Sequence, residues 1–413
     1  MILVPNRQLL LNGNRLLIFV FVVLLAACSP KTRPVATAPP KKAEPVKEKP
    51  VKKEVAKEVL PHSVALLLPF HLDQINLKSA DKKEISKADL AIDFYQGFKL
   101  ALDSLSAEGY NYKLQVFDSQ ENELRIVNLA RARSVLGNDL IVGPIFPVQI
   151  KTFSEFSDLK NKLQVSPLAA SNPAQFNNAG LVTVTNNIDQ HAFKIADFIN
   201  QNYKFGKVNV VLINTQSNDD EKFAVPFKNS LAELSSNAFV INERTNSIGL
   251  EDHLSSTKTN LVIIASDVRD FILPTIDRLY KVSLTGSKVE VFGHPNWAKA
   301  QFLNAEKMQW LNTRISSSYF VDYKSTEVKH FIARYLDEYN LDPGEYAFKG
   351  FDTGYYFGKL LARYGDDYAK HITEGTYKGL HNNFRFVKDE TSGFLNTELM
   401  ILKYQGFELQ IEK

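Results

Sequence analysis

The feature that most constrains the fold is a regular alternation of two kinds of segment between residues 62 and 413. Short apolar runs rich in Val, Ile and Leu predict buried strands, and they lie at 63–70, 113–119, 139–145, 207–214, 260–266 and 288–294. Amphipathic segments separate them, for example 94–109, 191–206 and 267–282, with apolar residues at helical spacing. Strands of this kind alternating with helices build parallel sheets covered on both faces, so the sequence predicts an α/β fold.

The length of this region predicts two lobes, because about 350 residues exceed one ordinary hydrophobic core. Ligands of open parallel sheets bind outside the carboxyl ends of the strands, in the loops that lead into helices. Any site is therefore expected in the loops at 70–72, 144–147, 167–172, 215–218, 266–269 and 294–297.

The amino terminus has the pattern of an export signal. Arg7 and Arg15 are followed by an apolar run at 16–27, which stops at Cys28, the single cysteine of the chain. A run this short is typical of a signal peptide, since a bilayer span needs about 20 apolar residues. The residues LAAC at 25–28 resemble the bacterial lipobox, which implies a signal peptide over 1–27 and a diacylated Cys28. The alternative is an incidental cysteine at the end of a membrane anchor.

Residues 28–61 differ in composition from the region that follows. Beyond Cys28 they are rich in Pro, Lys, Glu, Val and Ala, with no aromatic residue and no glycine, which predicts an extended tether without a core. In polyproline II geometry, at about 3.1 Å per residue, such a tether reaches roughly 90–100 Å. The net charge of the whole chain is only +3 and its basic excess lies largely in the signal and tether, so nucleic acid is not an expected partner.

The order of motifs in residues 62–413 resembles the type I periplasmic-binding-protein family. The segments that carry the resemblance are VALLLPF, FYQGFKLALDSL, QVFDS, LIVGPIFP, VSPLAASNP and GLVTVTNN, followed by VFGHPNW and FRFVKDETSGF. The family includes branched-chain amino-acid receptors and lipoprotein activators of penicillin-binding proteins. The resemblance implies two Rossmann-like lobes joined by three crossovers, near 183–187, 316–321 and 380–384. Lobe 1 would hold 62–184 and 321–380, and lobe 2 would hold 187–316 and 384–413.

The resemblance also implies a ligand cleft between the lobes. The matching residues are Phe70, Ile145, Phe146, Ala169, Ala170 and Ser171 on lobe 1, and Ser266, Asp267, His294, Asn296 and Trp297 on lobe 2. In the amino-acid receptors of the family, small hydroxyl side chains and backbone amides hold the charged ends of the ligand, because a buried carboxylate needs convergent donors.

This sequence departs from that pattern at both hydroxyl positions. Phe146 and Pro147 match the first, and Ala169 and Ala170 match the second, with Ser171 one residue later. Either the loops are shifted by one residue, or the cleft is not built for a free amino acid and takes a more apolar ligand, a peptide or nothing.

Several of the matched residues also have simpler structural roles. Asp267 precedes a predicted helix and is expected to act as its N-cap. Trp297 could stack on a ligand or pack over its own loop, and His294 could contact a ligand or form part of that loop. The acidic run at 219–221 is explained by a helix beginning there, whose dipole favours carboxylates.

No sequence pattern for catalysis or metal binding is present. The chain lacks GxSxG, GxxxxGK[ST], GxGxxG, HExxH and CxxC patterns, and its histidines are not at ligand spacing. The sequence therefore predicts a non-enzymatic protein without cofactor or metal.

Two functions remain. The first is a lipid-anchored solute-binding protein of the bacterial cell envelope, which captures an amino acid, peptide or muropeptide for a permease or sensor. The second is a lipoprotein regulator that contacts a protein partner such as a peptidoglycan synthase. No acidic residue follows Cys28 closely, so we expect the head to face the periplasm from the outer membrane.

Overall fold

The computed structural model describes residues 61–412 except 77, 160 and 161. The predicted signal peptide, Cys28 and nearly all of the tether lie outside these residues. Only the region predicted to form the two lobes is described below.

The chain first builds most of lobe 1. Its elements are β1 (His62–Leu68), α1 (Lys82–Ile85), α2 (Asp89–Ala107), β2 (Tyr112–Asp118), α3 (Glu123–Arg131), α4 (Arg133–Leu136), β3 (Leu140–Val142), α5 (Pro147–Phe156), β4 (Gln164–Ser166) and β5 (Leu181–Thr183).

The chain then builds lobe 2, returns to lobe 1, and ends in lobe 2. Lobe 2 receives α6 (Ile188–Asn202), β6 (Val208–Ile213), α7 (Asn218–Leu234), β7 (Ile241–Arg244), β8 (Thr259–Ile264), α8 (Arg269–Leu284), β9 (Val289–Gly293), α9 (Ala305–Trp310) and β10 (Arg314–Ser317). Lobe 1 is completed by α10 (Thr326–Tyr339), α11 (Glu345–Tyr364), α12 (Tyr368–His371), β11 (Tyr377–Lys378), β12 (Asn383–Phe384), β13 (Phe386–Asp389) and β14 (Gly393–Asn396). The last strands are β15 (Met400–Gln405) and β16 (Glu408–Ile411).

Each lobe contains one seven-stranded sheet. The strand order is β13-β14-β5-β4-β3-β1-β2 in lobe 1 and β16-β15-β10-β9-β8-β6-β7 in lobe 2. The strands that alternate with helices are parallel, as the sequence predicts. In contrast, β13 runs antiparallel to β14, and β15 runs antiparallel to both of its neighbours, β10 and β16. The sheets are therefore mixed. Tight turns join β13 to β14 and β15 to β16, and a tight turn can only reverse the direction of a strand.

The apolar runs are continuous because the central strands are covered on both faces. In β1, Val64 and Leu66 belong to one buried cluster of lobe 1, and Ala65 and Leu67 belong to the cluster on the other side of the sheet. Strand β6 divides its residues in the same way between two clusters of lobe 2. Each fully buried aliphatic side chain contributes about 1.5–3 kcal/mol, so these strands anchor both lobes.

Three connections cross between the lobes. The first, between β5 and α6, and the second, after β10, lie where the resemblance implies. The expected third crossover near 380–384 is wrong. Strands β13 and β14 still belong to the sheet of lobe 1, because Phe394 and Leu395 pair with Val182 and Thr183 of β5. The chain crosses after Asn396, so lobe 1 extends to 396 and lobe 2 regains the chain only at β15.

Candidate functional site

A cavity of about 330 Å³ lies between the lobes, beyond the carboxyl ends of β6, β8 and β9. This is the edge at which open parallel sheets bind ligands. Its lining comes from Ala170 of lobe 1, from Asn186, Ile188 and His191 around the first crossover, and from Asp219, Asp220, Lys222, Ala265, Asp267, His294, Pro295 and Asn296 of lobe 2.

The lobe 2 wall of this cavity is acidic. Asp267 accepts a hydrogen bond of 2.6 Å from the side-chain amide of Asn296, and Asp219 forms an ion pair of 2.7 Å with Lys222. The buried carboxylate of Asp220 accepts from the hydroxyl of Thr215 at 2.7 Å and from its N–H at 3.2 Å. Three carboxylates thus face one ammonium group, and this wall carries net negative charge.

His294 contributes a hydrogen-bond donor to the same wall. It precedes the short 3₁₀ helix Pro295–Lys299, and its Nδ1 accepts a hydrogen bond of 3.2 Å from the N–H of Asn296. Burial lowers the pKa of His294, although Asp267 and Asp220 act in the opposite direction. A ring whose Nδ1 accepts from an amide is neutral and carries its proton on Nε2.

His191 lies on α6, close to the first crossover, and both of its ring nitrogens have hydroxyl partners. Its Nδ1 is 2.9 Å from the hydroxyl of Ser316, and its Nε2 is 3.2 Å from that of Ser318. Helix α6 is placed there by a capping box between Asn187 and Gln190. Burial and then the nearby His294 lower the pKa of His191 to about 4, so its ring is neutral at pH 7.

Asn186 supplies an acceptor that has no partner. Its side chain is 2 % exposed, and its amide N–H donates to the carbonyl oxygen of Asn396 at 2.8 Å. Its Oδ1 is buried and accepts no hydrogen bond from the described residues. Leaving such an acceptor unpaired costs about 1–3 kcal/mol.

The first amides of the loop after β1 are already occupied by the protein itself. The N–H groups of Phe70, His71 and Leu72 donate to the carboxylate of Asp118, at 2.9, 3.2 and 2.9 Å. A carboxylate of the protein therefore occupies the donors that a ligand carboxylate would need.

Among the six residues predicted on lobe 1, only Ala170 lines the cavity. Ile145 and Ala169 are buried in core clusters, which corrects their assignment as ligand contacts. Phe70 packs edge-on against Tyr95, and Phe146 stands at the N-cap of α5 and packs on the core. Ser171 is outside the lining and forms no hydrogen bond with the described residues.

Three of the five residues predicted on lobe 2, Asp267, His294 and Asn296, line the cavity. Trp297 is 1 % exposed in the lobe 2 core and donates from Nε1 to the carbonyl oxygen of Ser266 at 3.0 Å, so it packs rather than stacks on a ligand. Ser266 is buried, with its hydroxyl accepting from Val268. The N-cap of α8 is Val268, so Asp267 is not the expected cap.

Asn186 and His191 are not predicted as site residues from the sequence, and Asp219 and Asp220 are predicted only to begin a helix. For Asn186 the available signal was a polar residue just after an apolar strand, at the loop edge where ligands bind, whereas His191 lies within α6 and carried no such signal. For the acidic pair the helix-start reading is correct, since Ser217 caps α7, but both carboxylates also line the cavity.

Comparison with known proteins identifies the fold. No family profile matches the sequence, and no curated protein matches it either. A protein of Rhodospirillum rubrum assigned to branched-chain amino acid ABC transport superposes with a TM-score of 0.62, at 15% identity over 86% of this chain and 100% of that chain.

Two further structures agree. An ABC-type branched-chain amino acid transporter protein of Rhodopseudomonas palustris has a TM-score of 0.58, at 14% identity over 85% of this chain and 95% of that one. An ABC transporter substrate-binding protein of Desulfitobacterium hafniense, in complex with Leu, has a TM-score of 0.54, at 15% identity over 86% of this chain and 100% of that one.

The class defined by fold and cavity is therefore the two-lobed type I periplasmic-binding-protein fold. The resemblance implied by the sequence motifs is confirmed at the level of the fold. Within the part of the chain that the structure describes, no helix has the length and apolar character of a membrane span.

Proposed function

We propose that this protein is a non-enzymatic, lipid-anchored solute-binding protein that takes a small molecule into the cavity between its lobes. The observation that carries the proposal is the position of that cavity at the carboxyl edge of the lobe 2 sheet, next to the three crossovers. Closure about such connections is a common way to enclose a ligand.

The chemistry of the lining favours a ligand that carries an amine and no carboxylate. Lobe 2 presents the carboxylates of Asp219, Asp220 and Asp267. The amides of the loop after β1 are already bound to Asp118. An ammonium group finds acceptors here, whereas a ligand carboxylate would meet like charge on lobe 2 and apolar Ala170 on lobe 1.

A matched set of three compounds tests this ligand class on the purified full chain in detergent. Leucine, 3-methylbutylamine and 4-methylpentanoate share one side chain and differ in their charged groups. We expect 3-methylbutylamine to raise the melting temperature and the other two to leave it unchanged, since only binding to the native state stabilises it. Stabilisation by leucine or 4-methylpentanoate, without stabilisation by the amine, would refute the proposed class.

The variant Asp267→Asn tests the site itself. It removes one charge from the cavity wall and is expected to weaken amine binding at least tenfold, as measured by calorimetry. Asp270→Asn is the matched control, because Asp270 is exposed in the first turn of α8 and does not line the cavity. Equal binding by both variants would show that the amine binds elsewhere.

We further propose that Cys28 carries the lipid anchor, that residues 28–61 form the tether, and that the head faces the periplasm from the outer membrane. The support is the lipobox-like LAAC sequence and the absence of an acidic residue close behind it. Two or more acyl chains hold a protein firmly on a membrane. In cells fed labelled palmitate, Cys28→Ala is expected to lose both the label and membrane association. A variant that keeps both would show that the anchor is not at Cys28.

A further inference from the structure

We infer that a groove on lobe 1, separate from the interlobe cavity, is a docking site for an acidic segment of a protein partner. The groove runs between α10, α11 and the β11–β12 hairpin. It consists of two adjoining cavities of about 170 and 300 Å³ that share Tyr355 and Tyr377 in their lining. No residue of this groove lines the interlobe cavity.

The floor of the groove is a continuous row of aromatic rings. The ring centroids of Phe331 and Phe351 are 4.9 Å apart, those of Phe351 and Tyr355 are 5.9 Å apart, and those of Tyr355 and Tyr377 are 6.3 Å apart. Phe351 and Tyr355 are four residues apart on α11 and so share one face. Tyr and Phe are enriched at protein interfaces, where a rigid ring supplies contact area at low cost in side-chain entropy.

The rim of the groove is cationic. Lys359 and Arg363 continue the four-residue spacing of Phe351 and Tyr355 along α11, and Lys378 lies on the hairpin. Lys359 binds Glu108, but no carboxylate of the described residues lies within ion-pair distance of Arg363 or Lys378. These two cations are therefore available to a partner.

Arg334, on α10, donates a hydrogen bond of 2.7 Å to the hydroxyl of Ser104. In the part of the chain that the structure describes, it forms no ion pair with a carboxylate. Three acids lie at the groove: Glu108, which accepts from Tyr355 at 2.7 Å as well as from Lys359, Glu374, which lies 3.0 Å from Nδ1 of His371, and Glu327 in the first turn of α10. The cations on the rim outnumber these acids.

The charges of the head and of the amino-terminal segment favour an acidic segment of another protein as the occupant of the groove. Residues 61–413 contain 38 Lys and Arg against 42 Asp and Glu, so the groove is a cationic site on an acidic head. Residues 1–60 contain 11 Lys and Arg against 4 Glu, so the protein's own amino-terminal segment has the wrong charge for the groove. Arginine and lysine clusters recognise acidic motifs, and the aromatic floor adds contacts for apolar side chains in such a motif.

The test uses the detergent-solubilised full chain and a fluorescent peptide of sequence EEFEEFEE as probe. We expect saturable binding by anisotropy that weakens with salt, because exposed charges are screened. The peptides KKFKKFKK, which reverses the charges, and EESEESEE, which removes the aromatic rings, should bind at least tenfold more weakly.

The double variant Arg363→Glu with Lys378→Glu should weaken binding of EEFEEFEE at least tenfold. The matched control is the double variant Lys204→Glu with Lys207→Glu. Both lysines are exposed on lobe 2 and form no ion pair with any of the described residues, so this control should bind the peptide like the wild type. Absence of probe binding, or an equal loss in both double variants, would overturn the proposal.

The same protein preparations and peptide probe also test two other possible occupants of the groove. If polygalacturonate displaces the probe and binds more tightly than it does, the groove is a site for an anionic glycan and the proposal fails. If sedimentation shows a dimer that the Arg363→Glu, Lys378→Glu variant abolishes, the occupant is a second copy and the proposal also fails. Neither outcome depends on the interlobe cavity, so the solute-binding proposal is tested separately.

Discussion

Lys299 of lobe 2 forms an ion pair with Glu345 of lobe 1, with 2.7 Å between Nζ and Oε2. Lys299 ends the 3₁₀ helix that follows β9, and Glu345 begins α11. Lys349 of α11 also binds Glu345 at 2.7 Å, and both lysines lie over the ring of Tyr319, at 5.2 and 5.3 Å from its centroid. This cluster connects the lobes beside the second crossover.

We predict that Glu345→Gln lowers the free energy of unfolding by about 1–2 kcal/mol at pH 7. Burial opposes ionisation of Glu345, but Lys349 and Lys299 outweigh it and lower its pKa to about 2. The folded-state pKa lies below the unfolded one, so this stabilisation is present above about pH 4.5 and is lost as the pH falls towards 2. Urea titrations at pH 7, 4 and 2.5 measure it.

The control for this prediction is Glu390→Gln, in the loop between β13 and β14, where the carboxylate is 87% exposed. It should change stability by less than about 0.5 kcal/mol at each pH. A pH-independent difference between wild type and Glu345→Gln would show that the loss is one of packing and not of charge.

His191→Gln is predicted to flatten the dependence of stability on pH between about 6.5 and 4. The pKa of His191 is lowered to about 4, so between these values the unfolded chain binds the proton and the native state does not. Wild-type stability should fall by roughly 2–3 kcal/mol across this window as the pH drops. His330→Gln, on the exposed face of α10, should keep the wild-type profile, and an unchanged slope in His191→Gln would contradict the prediction.

Asp352→Ala is predicted to lower the free energy of unfolding by at least about 3 kcal/mol. Asp352 is buried in α11 and accepts hydrogen bonds of 2.8 Å from the N–H groups of Leu380, His381 and Asn382. Burial raises its pKa to about 7, against the action of these three donors. Removing the carboxyl group leaves these three N–H groups without an acceptor. Their segment also contacts the second crossover, because the side-chain amide of Asn382 donates to the carbonyl oxygen of Ser318.

Hydrogen exchange over residues 378–384 is the direct readout for Asp352. We expect these amides to exchange faster in Asp352→Ala, with a smaller effect in Asp352→Asn, which keeps one acceptor oxygen. Protection equal to that of the wild type in both variants would mean that other contacts hold the segment.

Gly350→Ala is predicted to destabilise lobe 1 by roughly 2–3 kcal/mol. Helices α2 and α11 approach so closely that an added Cβ at Gly350 would clash with the carbonyl oxygen of Phe94, and one at Gly97 with that of Ala347. At both positions the added Cβ would meet backbone atoms, which cannot rotate away as the end of a flexible side chain could. Thermal unfolding measures the effect, with Ser106→Ala on the exposed face of α2 as a control expected within 0.5 kcal/mol. Equal melting temperatures would show that the helices separate at little cost.

Much of the fold was predictable because it depends on local patterns. The apolar runs that form β1, β6 and β8 are buried on both faces, so the sequence contains the signal for parallel strands without any information on distant contacts. The short strands of the carboxyl-terminal hairpins were not predicted. Strand β13 buries only Phe386 among its four residues, so it carries neither a continuous apolar run nor a clear alternation.

The sequence by itself determined the α/β class, the two lobes and the edge of the sheet at which a ligand site could lie. Only the tertiary structure decided the third crossover, because the pairing of β14 with β5 joins residues more than 200 positions apart. It also decided which side chains face the cavity. Trp297 and Ile145 point into cores, whereas Asn186 and His191 line the cavity, and this choice depends on how two lobes pack around three crossing segments and not on any local pattern.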